Sequence, residues 1–273
     1  MLVNQKTMPE KLLILGGTSE AYQLAENLDA QLPPDKLNFI SSLAGTTKKP
    51  NIPEGKFRTG GFGGLAGLKN FLVKEKISLL VDATHPFAEN ISKNALFASS
   101  DLGLPFLVLN RPPWVKQSKD QWIEVSSVKN AVKYLKNVEK KTGNIFSTGS
   151  IFLTTGNKEL CLFQNSLNYH FLVRTVDEPE LVSEWTEATF LKDRGPYTLE
   201  NEIKLLEKHK ISMLVAKNSG GSSTYAKIEA ARHLKIPVLM VRRPEMITGE
   251  SCQTVNEAVE WVNWHCSYNF KHT

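Results

Sequence analysis

The chain reads as a doubly wound α/β protein made of two parallel-sheet domains, and three observations predict it. Short apolar runs rich in Ile, Leu and Val alternate with amphipathic stretches of helical period. The runs are continuous rather than alternating in polarity, as expected of strands covered on both faces. A strand, a Gly-containing turn and a helix open twice, at LGGTSEA (15–21) and at LTTGNKEL (153–160), which favours two domains over one barrel.

Taken in order, the strand-like runs are KLLILG (11–16), LNFISSLAG (37–45), ISLLVDATHP (77–86), PFLVLNRPP (105–113), SIFLTTG (150–156), HFLVRTV (170–176), ISMLVAKNSGG (211–221) and IPVLMVRRP (236–244). Helical patterns lie between most of them, at 19–29, 65–75, 87–100, 127–139, 198–209 and 222–234. A polar segment from 114 to 147, including KKTGN, divides the two sets of units. The expected domains are therefore residues 1–125 and 126–273.

Composition narrows the function classes. With 273 residues and 41% apolar content the chain can bury one large core or two ordinary ones. No stretch approaches the roughly 18 apolar residues of a membrane span, and MLVNQKTMPEK is too short and polar for a signal peptide, so a cytoplasmic protein without membrane contact is expected. The net charge of +5 falls in residues 1–140, with 18 basic and 13 acidic side chains against 15 of each in 141–273; neither half is a polybasic tail, and no nucleic-acid partner is expected. Cys161, Cys252 and Cys266 are odd in number and widely spaced, which suits neither a disulfide framework nor a metal site, and no metal is expected.

The first turn poses the question of a nucleotide. In a phosphate-binding turn the first glycine allows the reversal, the second lets the backbone approach a pyrophosphate, and the third allows helix and strand to pack closely. Gly16 fills the first role and Gly17 follows it; Thr18 stands where the second glycine would be, and Ala21 replaces the third. Thr18 and Ser19 can cap the helix and offer hydroxyls to a phosphate at its positive end. A plain glycine turn is the bland reading. At the end of the second strand, where NAD-binding units place Asp or Glu, the chain has FISSLAGTTKK. Ser42, Gly45, Thr46 and Lys48 there would welcome a 2′-phosphate, so NADPH is expected over NADH, with NADH as the alternative.

The loops TGGFGG (59–64) and DATHPFA (82–88) also leave the sheet at strand ends, where ligands of open parallel sheets collect. Gly61, Gly63 and Thr84 are read as cofactor-lining, and His85 as the candidate catalytic group, although a His beside Pro86 is more often structural. The second half carries anion-holding candidates at its strand ends: Thr154, Thr155 and Gly156 in a strand-to-helix turn, Arg174, Lys192 and Arg194, Lys217 and Ser219, Lys227 on the following helix, and Arg242 and Arg243. Each charge alone could equally be a solvated or salt-bridged one; together they suit a ligand with several separate carboxylates.

The motifs LILGGTSEA, SSLAGTT, GGFGG, DATHPFA, FLTTGNKEL, RGPY, KNSGG and IPVLMVRRP, in this order over residues 11–244, resemble the precorrin-6A reductase family of corrin synthesis, including its cobalt-precorrin form. DATHPFA and KNSGG are the specific elements. The departures are Tyr197, where the family's loop usually ends in Phe, and NIFSTGSIFLTTG, which reads like a short insertion. The resemblance implies two Rossmann-like domains, one holding a nicotinamide cofactor and the other the tetrapyrrole, with hydride delivered to one double bond of the macrocycle. It also implies a hand-over of the product to the next enzyme of the pathway. Such a reduction needs a hydride donor, a proton source and a close geometry, and no nucleophile or metal.

Two other classes compete. A non-catalytic nucleotide sensor would not need ligand-edge motifs in both halves. A dehydrogenase or epimerase of nucleotide sugars would place Tyr and Lys four apart on a helix, and Tyr22 with Glu26, Tyr134 with Val138 and Tyr197 with Asn201 all fail that test.

Overall fold

The computed structural model describes residues 9–45, 50–142, 149–164, 169–179, 185–245 and 249–268. They form two compact units. The first comprises residues 1–112 together with 245–273, and the second comprises 113–244.

In the first unit β1 (Glu10–Leu15), β2 (Leu37–Leu43), β3 (Lys56–Thr59), β4 (Leu79–Asp82), β5 (Phe106–Leu109) and β12 (Glu250–Cys252) make one sheet in the order β12-β5-β4-β1-β2-β3, every neighbouring pair parallel. β1 is central, and its continuous apolar run is explained by what lies on both sides of it. Leu12 and Ile14 pack with Leu24 and Leu28 of α1 (Ser19–Gln31) and with Ala258 and Val262 of α7 (Val255–Tyr268). Leu13 and Leu15, pointing the other way, pack with Leu68 and Leu72 of α2 (Gly64–Lys74) and with Ala95 and Ala98 of α3 (Glu89–Leu102). Each such side chain, fully buried, contributes about 1.5–3 kcal/mol, so the two-sided cover makes β1 the best-held strand of the unit.

The second unit repeats the plan. β6 (Trp122–Val125), β7 (Ser150–Thr154), β8 (His170–Thr175), β9 (Ala188–Lys192), β10 (Ile211–Lys217) and β11 (Val238–Val241) form a parallel sheet in the order β6-β11-β10-β7-β8-β9. Phe152, Leu172, Leu214 and Met240 pack with Leu206 of α5 (Leu199–Lys208) and Ile228 of α6 (Ala226–His233), while α4 (Val128–Thr142) follows β6.

The expected boundary at residue 125 is corrected by the strand pairing. β6 pairs with β11, which carries residues 113–125 into the second unit, and β12 pairs with β5, which returns the last segment to the first. Each sheet thus takes its sixth strand from the stretch that chain order would assign to the other unit. The helix expected over 222–234 divides into a 3-10 turn, Ser222–Thr224, and α6.

Candidate functional site

In the first unit the residues singled out lie on four adjacent strand ends, β4-β1-β2-β3, and hydrogen bonds tie the loops together. Gly16 N donates to Ser42 O (2.9 Å) and Gly60 N to Leu43 O (2.9 Å). Thr18 Oγ1 donates to Ala83 O (2.7 Å), linking the first turn to the DATHP loop. A Cβ on Gly16 would stand 3.0 Å from the Cβ of Ala21, so the small residue in the third-glycine place does let helix and strand pack closely. Gly17 has a φ of +108°, and the space where its Cβ would stand is open. Gly45 (φ +73°) approaches the backbone of Gly60 so closely that its Cβ would lie 3.1 Å away. Gly61 is exposed, and Gly63 precedes α2 in a left-handed conformation.

Several expected hydroxyls are already engaged. Thr18 caps α1, its Oγ1 accepting from Ala21 N (3.2 Å) while donating to Ala83 O, so its hydroxyl joins the two loops. Ser19 is exposed, its hydroxyl directed at Glu20 (3.3 Å). Thr84 N and Oγ1 donate to Asp82 Oδ1 (3.0 and 2.7 Å), so this threonine stiffens its loop. His85 is exposed and its Nδ1 accepts from Phe87 N (3.3 Å), which assigns the neutral ring's proton to Nε2. Thr46 and Lys48 lie outside the described residues.

The sequence reading missed Arg58. It closes β3, donates to Ser42 Oγ (2.8 Å) and to the carbonyls of Gly60 (2.9 Å) and Gly61 (3.0 Å), and lies against the Phe62 ring at 4.1 Å. Burial holds its pKa below the usual arginine value. Arg111, after β5, was missed too; it pairs with Glu20 in the first turn of α1. KFRTGG offered the one available signal for Arg58, a cation immediately before a glycine loop, but β3 itself went unread.

In the second unit the strand ends again share one edge, and three of the seven expected cations, Arg174, Lys217 and Arg243, are engaged with protein partners. Arg174 donates to both carboxylate oxygens of Glu202 (2.6 and 2.8 Å) and is stacked on Tyr197 (3.8 Å) and Phe152 (4.9 Å). Its side chain is 4% exposed and that of Glu202 2%, so the pair is enclosed. Lys217 pairs with Glu159, and Arg243 donates to the carbonyls of Asn218 and Ser219 (both 2.8 Å), so these two shape the loops after β10 and β11. Ser219 is buried. Thr154 Oγ1 donates to Val215 O (3.0 Å), Thr155 is buried, and Gly156 leads into a 3-10 helix, Asn157–Leu162, instead of the α-helix whose N-terminus was expected to hold a carboxylate. Lys192, Arg194 and Arg242 are exposed.

A cleft of about 390 Å³ opens within this unit, lined by Trp114, Tyr197, Tyr225, Gly220, Ser222 and Glu229 among others. Trp114 is fixed by three bonds: its N donates to Asn218 Oδ1 (2.8 Å), its carbonyl accepts from Asn218 Nδ2 (3.0 Å), and its indole Nε1 donates to Gly221 O (3.2 Å). Lys227, the second residue of α6, is buried, with Nζ 5.5 Å from the centre of the Trp114 ring. Neither Trp114 nor Tyr197 was read as a site residue, because aromatic rings beside prolines look like ordinary core.

Two open parallel sheets, the first in the dinucleotide-binding order and with a glycine-lined carboxyl edge, define the class as a doubly wound α/β protein of Rossmann type. Comparison with known proteins makes this specific. The model of the family described as Precorrin-6x reductase CbiJ/CobK matches residues 11–263. A precorrin-6A reductase of Rhodococcus erythropolis is 39% identical over 253 residues, 92% of this chain and 97% of that protein. A cobalt-precorrin-6A reductase of Priestia megaterium is 30% identical over 202 residues, 70% of this chain and 75% of that protein. A solved structure titled CobK precorrin-6A reductase superposes with a TM-score of 0.84 at 35% identity, covering 94% of this chain and 97% of that one. The chain belongs to the precorrin-6x reductase family: it is an oxidoreductase of cobalamin biosynthesis, of a family that works with a nicotinamide cofactor. No described helix is long and apolar enough to cross a membrane.

Proposed function

We propose that the chain reduces precorrin-6A with NADPH, the first unit holding the cofactor and the second the tetrapyrrole. The observation that carries this is the edge formed by the ends of β4, β1, β2 and β3. Open space surrounds the Cβ positions of Gly17, Gly60, Gly61 and Gly63, so an extended ligand can lie against bare backbone there. Gly16, Gly17 and Ser19 at the start of α1 suit the pyrophosphate. Ser42, Gly45 and Arg58 suit the adenosine ribose, and the guanidinium of Arg58 favours a 2′-phosphate over a hydroxyl. Thr46 and Lys48 remain candidates for the same end. Gly61, Gly63 and the stiffened Thr84 loop line the rest.

The bound nicotinamide supplies the hydride. Around it the chain holds the loops in register through Thr18 and Asp82, and His85 presents its Nε2–H to position the substrate, water supplying the proton to the atom of the double bond that does not receive hydride. In the second unit the exposed Lys192, Arg194 and Arg242 meet carboxylate arms of the macrocycle, and the Trp114–Tyr197–Tyr225 cleft offers aromatic surface. Thr154, Thr155, Gly156, Lys217, Ser219 and Arg243 shape that edge. The metal-free ring is favoured because the relative named for it is matched at 39% over nearly its whole length, against 30% over three quarters for the cobalt form. The product passes in the cytoplasm to the next corrin enzyme. The test is oxidation of NADPH on adding precorrin-6A or its cobalt form: faster turnover with the metal-free ring is expected, and no turnover with either ring overturns the reading.

A further inference from the structure

Lys227 is placed where three physical costs coincide. It is 6% exposed, so its ammonium has lost most of its water. It stands in the first turn of α6, where the helix dipole disfavours a cation. Among the described residues it makes no hydrogen bond; its one recorded contact is the face of Trp114. It lies beside the cleft, since Trp114 and Ala226, its ring partner and its chain neighbour, both line it.

We propose that this cleft receives one carboxylate arm of the tetrapyrrole, with the Lys227 ammonium as counter-ion, and that docking the arm takes up a proton. The proposal rests on the reading of the second unit as the tetrapyrrole unit. An anion entering between the aromatic walls relieves all three costs at once. The groups facing Lys227 do not relieve them. Arg174 from β8 and Glu202 from α5 are neutralised by each other, and Arg232, further along α6, is held by Asp120 and Tyr225. Glu229 lines the cleft two residues further along the same helix, so it is not on the same face as Lys227. The Tyr197 phenol is pushed by burial above its ordinary value and stays neutral in the working range.

The sign follows from the environment. Burial, with Arg174 adding to it, lowers the Lys227 pKa to about 7. A docked carboxylate favours the charged form and raises that value. Affinity is then fully present below about pH 7 and falls about tenfold per pH unit above it, until the pKa of the complex is reached.

The experiment measures the dissociation constant of precorrin-6A by quenching of tryptophan fluorescence, with proton uptake read by calorimetry in two buffers of different ionisation enthalpy. For the wild type, binding at least about tenfold weaker at about pH 8.5 than at about pH 6.5 is expected, with net proton uptake between. Lys227→Met should bind weakly at both values and should melt no lower than the wild type, because it removes an uncompensated cation. Lys227→Arg keeps the charge at every pH, and its profile should be flat. A flat wild-type profile, or a wild-type slope retained by Lys227→Met, overturns the proposal while leaving the reductase reading intact. A wild type that turns over neither ring fails the reductase reading and this proposal with it.

Discussion

Arg174 and Arg58 both end strands and both lie against aromatic rings, but their surroundings assign them different work. Arg174 and Glu202 have side-chain exposures of 4% and 2%, so removing one strands the other. Arg174→Ala should cost about 3–5 kcal/mol, read as a lower urea midpoint, and the double variant Arg174→Met, Glu202→Leu should recover most of it. Sparing of Arg174→Ala would show the pair to be solvated. Arg58 is only partly enclosed and anchors carbonyls as well as Ser42. Its replacement in Arg58→Gln should weaken NADPH by about tenfold or more, the worth of a hydrogen bond to a charged group, and NADH much less. Equal losses in the KM of both cofactors would make Arg58 a loop brace only. Which strand-end residues carry charge was plain from the sequence. Which of them are spent on partners was not, because Glu202 lies 28 residues from Arg174 and Glu159 lies 58 from Lys217. Lys227 was visible as a cation, and its burial was invisible for the same reason.

At the level of elements, the eight runs read as strands became β1, β2, β4, β5, β7, β8, β10 and β11, all of them interior to the two sheets. The four that went unread, KFRT, WIEV, ATFLK and ESC, are the four edge strands. The reason is physical: an interior strand is apolar on both faces and stands out, whereas an edge strand is short and partly wet, and its composition is that of a loop. The unread helix α7 carries Ala258, Val259 and Val262 against the core that includes α1, and Trp264 remains exposed. Val262→Ala should therefore destabilise the first unit by about 2 kcal/mol, and Trp264→Ala by far less. Comparable losses in thermal melts of the two variants would mean that α7 is loosely docked.

For the whole molecule, the assignment of one ligand to each unit has a direct readout in amide exchange. NADPH at about 100 times its dissociation constant should add about 2.7 kcal/mol of protection, concentrated in residues 9–112 and 249–268, and precorrin-6A should protect 113–244. The reverse pattern would exchange the roles. The crossing of the sixth strands, with β12 and α7 returning to the first unit after the second is complete, also has a bearing on how the protein is made. On a ribosome the first unit is begun first and finished last. Its β5 edge and the apolar side of α1 wait for β12 and α7 while residues 113–244 are threaded out. At ordinary elongation rates that wait is on the order of ten to thirty seconds, long enough for a nascent-chain chaperone to bind the half-built sheet and for the later unit to mature before the earlier one.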